Sequence, residues 1–129
     1  IAPAGAIWST ASDVAKWLEF LINHGTVKGD TLIKKSTFNE LFNPQQIVPQ
    51  NEFYATQEII KPNWTTYGLG WFQHDYHGKM VQIHTGSLPG MSAIAGLILE
   101  ENIGVFAFGN LDHDDFLFST IFPTQFPHI

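Results

Sequence analysis

Two neighbouring stretches of the chain, residues 91–99 and 103–109, carry apolar side chains on both faces of an extended strand. This pattern limits the possible folds more than any other, because a strand of this kind must be covered by packed layers on both sides. Glu100, Glu101 and Asn102 separate the two stretches and are typical of a short connection between antiparallel strands. We therefore predict that both strands lie inside a sheet that is covered on both faces.

The period of two continues upstream of these strands. Large side chains alternate with glycine over residues 67–71, and residues 76–79 supply a turn. The predicted fold class is α/β (α+β), with an antiparallel sheet of about four strands flanked by helices. The four strands form a meander, which covers residues 67–75, 79–84, 91–99 and 103–109.

The first helix is predicted over residues 11–24. Thr10 suits the capping position, and Asp13 lies near the positive end of the helix dipole. Apolar residues then recur with the helical period, and Gly25 follows as a stop signal. The sequence therefore predicts an amphipathic helix at the start of the chain.

Two further helices are predicted. Ser36 is expected to cap a short helix that ends before Pro44, and Asn110 or Asp112 opens a last helix to about Phe122. Three helices, one of them short, are too few to cover both faces of the sheet. We infer that the chain is a single C-terminal segment of a larger sandwich whose N-terminal part is missing. Its expected regions are a helical part (1–45), a surface excursion (46–66), the meander (67–110) and a C-terminal helix with a tail (111–129).

Composition excludes several classes of function. The net charge is −6, with six lysines and no arginine, so binding to a nucleic-acid backbone is not expected. The chain has no cysteine, which excludes disulfides, cysteine zinc sites and a thiol nucleophile. No signal peptide and no apolar run long enough to span a membrane occur in this segment.

One titratable side chain stands at the end of a predicted strand. Val81 and Ile83 share one face of that strand, and His84 points to the other. Gly86 removes a side chain where the strand is expected to end, so backbone amides there can approach a ligand. The alternative is that His84 is an ordinary strand histidine and Gly86 belongs to a simple turn.

This segment resembles a motif of a known family. The sequence His84-Thr85-Gly86-Ser87 resembles the third motif, Lys-Thr-Gly or His-x-Gly, of the beta-lactamase-related serine hydrolases. Residues 67–71 precede it and Leu88-Pro89-Gly90 follows it as in that family, and residues 3–18 look like the family's Pro-Ala-Gly-Gly segment leading into a helix. The family includes class C beta-lactamases, D-alanyl-D-alanine carboxypeptidases and esterases. The resemblance implies the C-terminal portion of a beta-lactamase/transpeptidase-like, penicillin-binding-protein fold.

The resemblance also implies roles for four residues. The backbone N–H of Ser87 would form half of an oxyanion hole, and His84 would orient the substrate and tune proton transfer, so both are catalytic candidates. Thr85 and Gly86 would bind the substrate. Histidine in place of lysine favours the carboxypeptidase and esterase branches. No cofactor or metal is implied, and a periplasmic or secreted location is plausible for such a protein.

Two motifs of the family are absent from the chain. No serine is followed three residues later by lysine, and none of the three tyrosines begins a Tyr-x-Asn. The chain is therefore expected to be inactive alone. The leading hypothesis is a segment of a serine hydrolase that acts on amide or ester bonds, with a small molecule or peptide as substrate. The alternative is a non-catalytic binding or scaffold domain of the same fold.

Other polar clusters have simpler explanations. His74, Asp75 and His77 alternate in direction along a predicted hairpin and do not converge on a metal. The acidic residues of segment 112–115 suit the first turn of a helix. Of the four tryptophans, Trp64 is the candidate for lining a site.

Overall fold

The computed structural model describes residues 5–49 and 61–110. Within this part the chain forms two α-helices and eight strands, so the predicted mixed class is confirmed. The helices are α1 (Ala11–Ile22) and α2 (Lys35–Phe42), and a 3-10 turn covers Leu99–Glu101. The strands are β1 (Thr26–Val27), β2 (Asp30–Thr31), β3 (Gln46–Ile47), β4 (Thr65–Tyr67), β5 (Phe72–Tyr76), β6 (Lys79–Leu88), β7 (Met91–Ile98) and β8 (Ile103–Gly109).

The main sheet is an antiparallel meander of six strands in the order β3-β4-β5-β6-β7-β8, and β1 and β2 form a separate small hairpin. The predicted four strands were too few, because the predicted strand 67–75 corresponds to two strands, β4 and β5, and β3 adds a further strand at the edge. Gly68 N–H donates to the carbonyl of Trp71 at 2.8 Å and closes a turn between β4 and β5. A Cβ at Gly68 would lie 2.9 Å from the Leu41 carbonyl oxygen, so only glycine fits this turn.

The predicted surface excursion over residues 46–66 is also corrected. Its two described ends are strands β3 and β4, which pair with each other at the edge of the sheet. Residues 50–60 lie outside the described part, as do the predicted last helix and tail at 111–129.

Helix α1 begins as predicted and α2 does not. The Thr10 hydroxyl accepts a hydrogen bond from the Asp13 N–H at 3.2 Å, which caps α1. Beyond its end, Gly25 has a positive φ of 82° and donates its N–H to the Phe20 carbonyl. The capping residue of α2 is Lys34 and not Ser36, and no side chain caps that helix.

Both helices pack on one face of the sheet, which we call the helix face. Its core contains Leu18 and Leu21 of α1, Phe38 of α2, and Trp71 and Leu97 of the sheet. Helix α1 passes close to β8, because a Cβ at Gly104 would lie 3.0 Å from Ile22 Cδ1, 3.1 Å from Leu97 Cδ2 and 3.4 Å from Leu18 Cβ.

The opposite face has a second core, formed by Val81, Ile83, Ile94 and Ile98. Val81, Ile83 and Ile98 are completely buried. A sheet that lacks a covering layer should have an open apolar face. At the centre of this face that expectation is wrong, because the side chains there are buried. In the described part of the chain, neither helix is long and apolar enough to cross a membrane.

Candidate active site

Strand β6 is longer than predicted, and the HTGS segment (residues 84–87) lies within it. The strand continues to Leu88, and Pro89 and Gly90 form the two-residue turn to β7. Gly86 lies opposite Ala93 and Ser87 lies opposite Ser92. The expectation that the strand ends near Gly86 was wrong, because cross-strand pairing with β7 continues it.

The register determines where the backbone amides of this segment point. In a hairpin with a two-residue turn, the residues that flank the turn exchange hydrogen bonds, and alternate residues along the strand do the same. Leu88 pairs with Met91, so Gly86 and Leu88 bond to β7 while Ser87 points its N–H away from β7. The β5–β6 hairpin, in which Tyr76 pairs with Lys79, gives the same alternation.

Strand β5 does not reach the Ser87 amide. Its first residue, Phe72, pairs with Ile83, and no β5 residue lies opposite Thr85 or Ser87. Both amides therefore point from β6 towards the space beyond the start of β5. Backbone N–H groups that do not pair with a neighbouring strand at this edge can bind a substrate oxygen.

His84 lies on the helix face, on the same side of the strand as Gln82. Its side chain is exposed, and its ring centroid lies 6.3 Å from that of Phe72. It borders a groove of about 590 Å³, which we call the tryptophan groove. The other large side chains of this groove include Trp17 and Trp71, whose rings stack with centroids 5.7 Å apart, and Phe106.

Gly86 leaves open space where a side chain would stand. A Cβ built at this position has no atom within 4 Å, and its φ does not fall in the left-handed region. Neither the backbone nor the packing of the described residues requires glycine here. A side chain at this position would instead project into space beside His84.

A second groove, of about 510 Å³, lies on the other side of Gly86. We call it the hairpin groove. Its apolar side chains belong to the N-terminal segment, the β6–β7 hairpin and β8, namely Ile7, Leu88, Met91 and Phe108. Gly86 and Ala93 line both grooves, so the two grooves meet at this pair.

Thr85 and Ser87 alternate to the opposite face from His84. Thr85 is half-buried and borders the tryptophan groove, while Ser87 is exposed and borders the hairpin groove. The structure thus brings all four predicted site residues to one short length of strand. Ala93 was missed from the sequence, because its place beside Gly86 depends on the register in which β6 pairs with β7.

Two buried polar side chains near the segment were missed as well. Gln82 is 5% exposed and Ser92 is 4% exposed, and the Gln82 Oε1 and Ser92 Oγ atoms have no hydrogen-bond partner among the described residues. Gln82 precedes His84 by two positions on the same face. The sequence did not predict the burial of Gln82, because a polar residue that alternates with apolar ones in a strand is expected on the exposed face.

The histidine and aspartate of β5 have structural partners. His74 Nδ1 lies 3.0 Å from the Thr65 hydroxyl, and burial lowers the pKa of His74 to about 4, with Asp75 acting weakly in the opposite direction. Partial burial favours a higher pKa for Asp75, but hydrogen bonds from Asn63 and Trp64 outweigh it and lower that pKa.

In the described ranges, no group of three histidine or acidic side chains is placed to hold a metal. Trp64, the candidate for lining a site, donates its backbone N–H to Asp75 and lines neither groove.

Comparison with known proteins identifies the family. The profile of the beta-lactamase family matches residues 1–122. Among solved structures, the fold is similar to that of the octameric penicillin-binding protein homologue from Pyrococcus abyssi, with a TM-score of 0.63 and 24% sequence identity over 80% of this chain and 20% of that chain. The chain thus spans about a fifth of the length of that protein. A comparison with curated protein sequences gave no match. The resemblance noted in the sequence is therefore confirmed, and the chain belongs to the beta-lactamase family.

Proposed function

We propose that this chain is the C-terminal segment of a serine hydrolase that cleaves amide or ester bonds through an acyl-serine intermediate. The observation that carries the proposal is the direction of the Ser87 amide, which points from the edge of β6 beyond the start of β5. In this role the amide donates to the oxygen of the attacked carbonyl, where negative charge develops. The nucleophilic serine and its base come from outside this chain, because the sequence has no Ser-x-x-Lys.

The reaction has two steps. In the first, the serine Oγ bonds to the carbonyl carbon, the bond from that carbon to the leaving oxygen or nitrogen breaks, and the serine proton passes to the leaving group through the base. In the second, water attacks the acyl-serine and releases the acid and the free serine. The Ser87 N–H stabilises the oxyanion in both steps.

His84 acts as a positioning and proton-transfer group in this proposal. It is exposed on the helix face, one residue from Thr85 and three from Ser87. An imidazole can donate or accept a hydrogen bond near neutral pH, so it can orient a substrate without a permanent charge. Thr85 and Gly86 contribute to substrate binding, Gly86 by leaving space.

The alternative is a binding or scaffold domain that keeps the fold without the nucleophile. The same amide and grooves would then hold a ligand without turnover. The two functions differ in whether the whole protein contains a Ser-x-x-Lys motif and a Tyr-x-Asn or equivalent motif upstream of residue 1. The upstream reading frame therefore separates them at the level of sequence.

The biochemical test compares this chain alone with the whole protein. We expect the whole protein to hydrolyse p-nitrophenyl acetate and to be labelled by a fluorescent penicillin on the serine of its Ser-x-x-Lys. The isolated chain should show neither reaction. Labelling of any serine within residues 1–129, or undiminished hydrolysis after that upstream serine is changed to alanine, would contradict the proposal. Ligand binding without turnover would favour the binding domain.

A further inference from the structure

Strand β5 stops short of the Ser87 amide because the chain turns before it. Continued beyond Phe72 in its observed register, β5 would place Gly68 opposite Ser87, and the Gly68 carbonyl would accept the Ser87 N–H. The chain instead turns at residues 68–71, which we call the 68–71 turn, and the Gly68 carbonyl accepts the Gly70 N–H at 3.1 Å. The position of this turn therefore decides whether the Ser87 amide is open to a substrate.

The end of helix α2 holds the 68–71 turn. The last carbonyl groups of a helix have no partner within the helix. Here the Leu69 N–H donates to the Leu41 carbonyl at 3.2 Å, and the side-chain Nε2 of Gln73 donates to the Phe42 carbonyl. A Cβ at Gly68 would lie 2.9 Å from the Leu41 carbonyl oxygen and 3.1 Å from Gln73 Nε2, so the turn packs directly against both groups.

Gln73 joins three elements of the fold. Its side chain is completely buried, its Oε1 accepts a hydrogen bond from the Thr66 hydroxyl of β4, and its Nε2 donates to Phe42 of α2. Gln82 lies opposite Gln73 on β6 and is nearly as buried, yet its Oε1 has no hydrogen-bond partner among the described residues. Of these two neighbouring glutamines, Gln73 is the one that ties β5 to α2.

The 68–71 turn is also a wall of the tryptophan groove. Leu69, Gly70 and Trp71 line this groove together with His84. A displacement of the turn would therefore change both the wall that faces His84 and the opening at the Ser87 amide.

We propose that Gln73 is a positioning residue of the site, which holds the 68–71 turn against α2 and thereby keeps the Ser87 amide unpaired. The inference rests on the proposed function and adds to it a residue that acts through the turn. Without the bond to Phe42, the turn can move towards β6, and the Gly68 carbonyl can compete with the substrate for the Ser87 N–H. Because that N–H binds the charge of the transition state, the loss should fall on kcat more than on KM.

Gln73→Met and Gln82→Met form a matched pair for the test in the whole protein. Methionine is an unbranched side chain that fills similar space without an amide. We expect Gln73→Met to lower kcat for p-nitrophenyl acetate by about tenfold or more and to change KM by less than about twofold. Gln82→Met should change neither quantity. Thr66→Val, which removes only the hydroxyl bond to Gln73, should give a smaller loss of kcat and replaces Gln73→Met if that variant does not fold.

Hydrogen exchange tests the anchor without the use of activity. Mass spectrometry of peptides that cover the 68–71 turn should show exchange faster by about tenfold or more in Gln73→Met than in the wild type. Gln82→Met should show the exchange of the wild type. Thermal melts of the same samples give the folded fraction.

Gln73→Glu provides a rescue that depends on pH. The protonated carboxyl group can donate to the Phe42 carbonyl and accept from Thr66, as the amide does, whereas the ionised carboxylate cannot donate. Burial raises the pKa of the introduced carboxyl group. The ratio of kcat in Gln73→Glu to kcat in the wild type should therefore rise as the pH falls, in samples that melts show to be folded.

The outcomes separate this inference from the proposed function. The positioning role alone is overturned if kcat falls only in proportion to the folded fraction, if Gln82→Met loses as much activity as Gln73→Met, or if the ratio for Gln73→Glu does not change with pH. Faster exchange of the turn in Gln73→Met with an unchanged kcat would also overturn it, because the turn would then not control the Ser87 amide. Failure of the wild-type protein to hydrolyse any ester or to be labelled by penicillin would overturn both proposals.

Discussion

Two glycines on the same face of the sheet have opposite surroundings. Gly104 on β8 lies under α1, where an added Cβ would be 3.0 Å from Ile22 and 3.1 Å from Leu97. Gly86 on β6 faces space with no atom within 4 Å of an added Cβ. One end of the helix face is thus closely packed, and the other is open beside the Ser87 amide. The packing of the fold explains the first glycine, whereas the second leaves space that the proposed function assigns to a substrate.

The largest expected effect is on the amide at the open end. Ser87→Pro removes the N–H donor and should lower kcat of the whole protein by about 10²- to 10³-fold. Ser87→Ala keeps the donor and should have much less effect. Because the Ser87 N–H points away from β7 and no β5 residue lies opposite it, the proline removes no hydrogen bond to either strand.

Steady-state kinetics and thermal melts of both Ser87 variants check this expectation. Equal damage by Ser87→Ala and Ser87→Pro would remove the oxyanion role from the amide. A large fall in melting temperature for the proline variant would place Ser87 in the packed part of the molecule.

The second-largest expected effect is the pH dependence of stability that the buried His74 produces and the exposed histidines do not. The pKa of His74 is lowered to about 4 from an ordinary value of 6.5, so between these values the unfolded chain binds a proton that the folded chain does not. The free energy of unfolding should therefore fall as the pH drops from about 6.5 to 4, by up to about 3 kcal/mol. Urea denaturation of the protein at several pH values measures this loss.

Two variants isolate the contribution of His74. His74→Gln cannot titrate and should remove most of the pH dependence in this range. His77→Asn, at an exposed turn position with a positive φ of 48°, should retain it. Equal pH dependence in the wild type and His74→Gln would assign the acid sensitivity to other groups.

The third prediction tests the two glycines directly. Gly104→Val should destabilise the fold by about 1–3 kcal/mol, because its side chain must displace Ile22 and Leu97. Gly86→Val should leave the melting temperature nearly unchanged and lower kcat/KM. Thermal melts and steady-state kinetics of the two variants measure these effects. If Gly86→Val were destabilised and its activity unaltered, both glycines would have structural roles.

The smallest predicted effect that kinetics can resolve is that of His84. His84→Ala should lower kcat/KM by the equivalent of about 1–3 kcal/mol while the fold stays intact, because an exposed positioning group is lost and not the nucleophile. Steady-state kinetics beside thermal melts measure both quantities. Loss of activity only in proportion to loss of folded protein would return His84 to the role of a structural strand histidine.

Local features of the fold could be predicted because their causes are local. The Thr10 cap, the helical period of α1 and the alternation that separates His84 from Val81 and Ile83 depend on residues a few positions apart. The family motif likewise occupies four consecutive residues, and it was found without knowledge of the strand's length.

The tertiary structure decided the rest, because pairing between distant residues has no local signal. Glycines 68 and 70 fit an alternating strand in sequence, yet the chain turns there so that β4 and β5 can pair. Pairing with β7 carries β6 past Gly86 to Leu88 and brings Ala93 beside it. The sequence by itself determined which residues are the candidates for the chemistry. The strand register decided that the Ser87 amide points past β5 and that Ala93 lies beside Gly86, since hydrogen-bond direction and groove shape depend on what lies across the sheet.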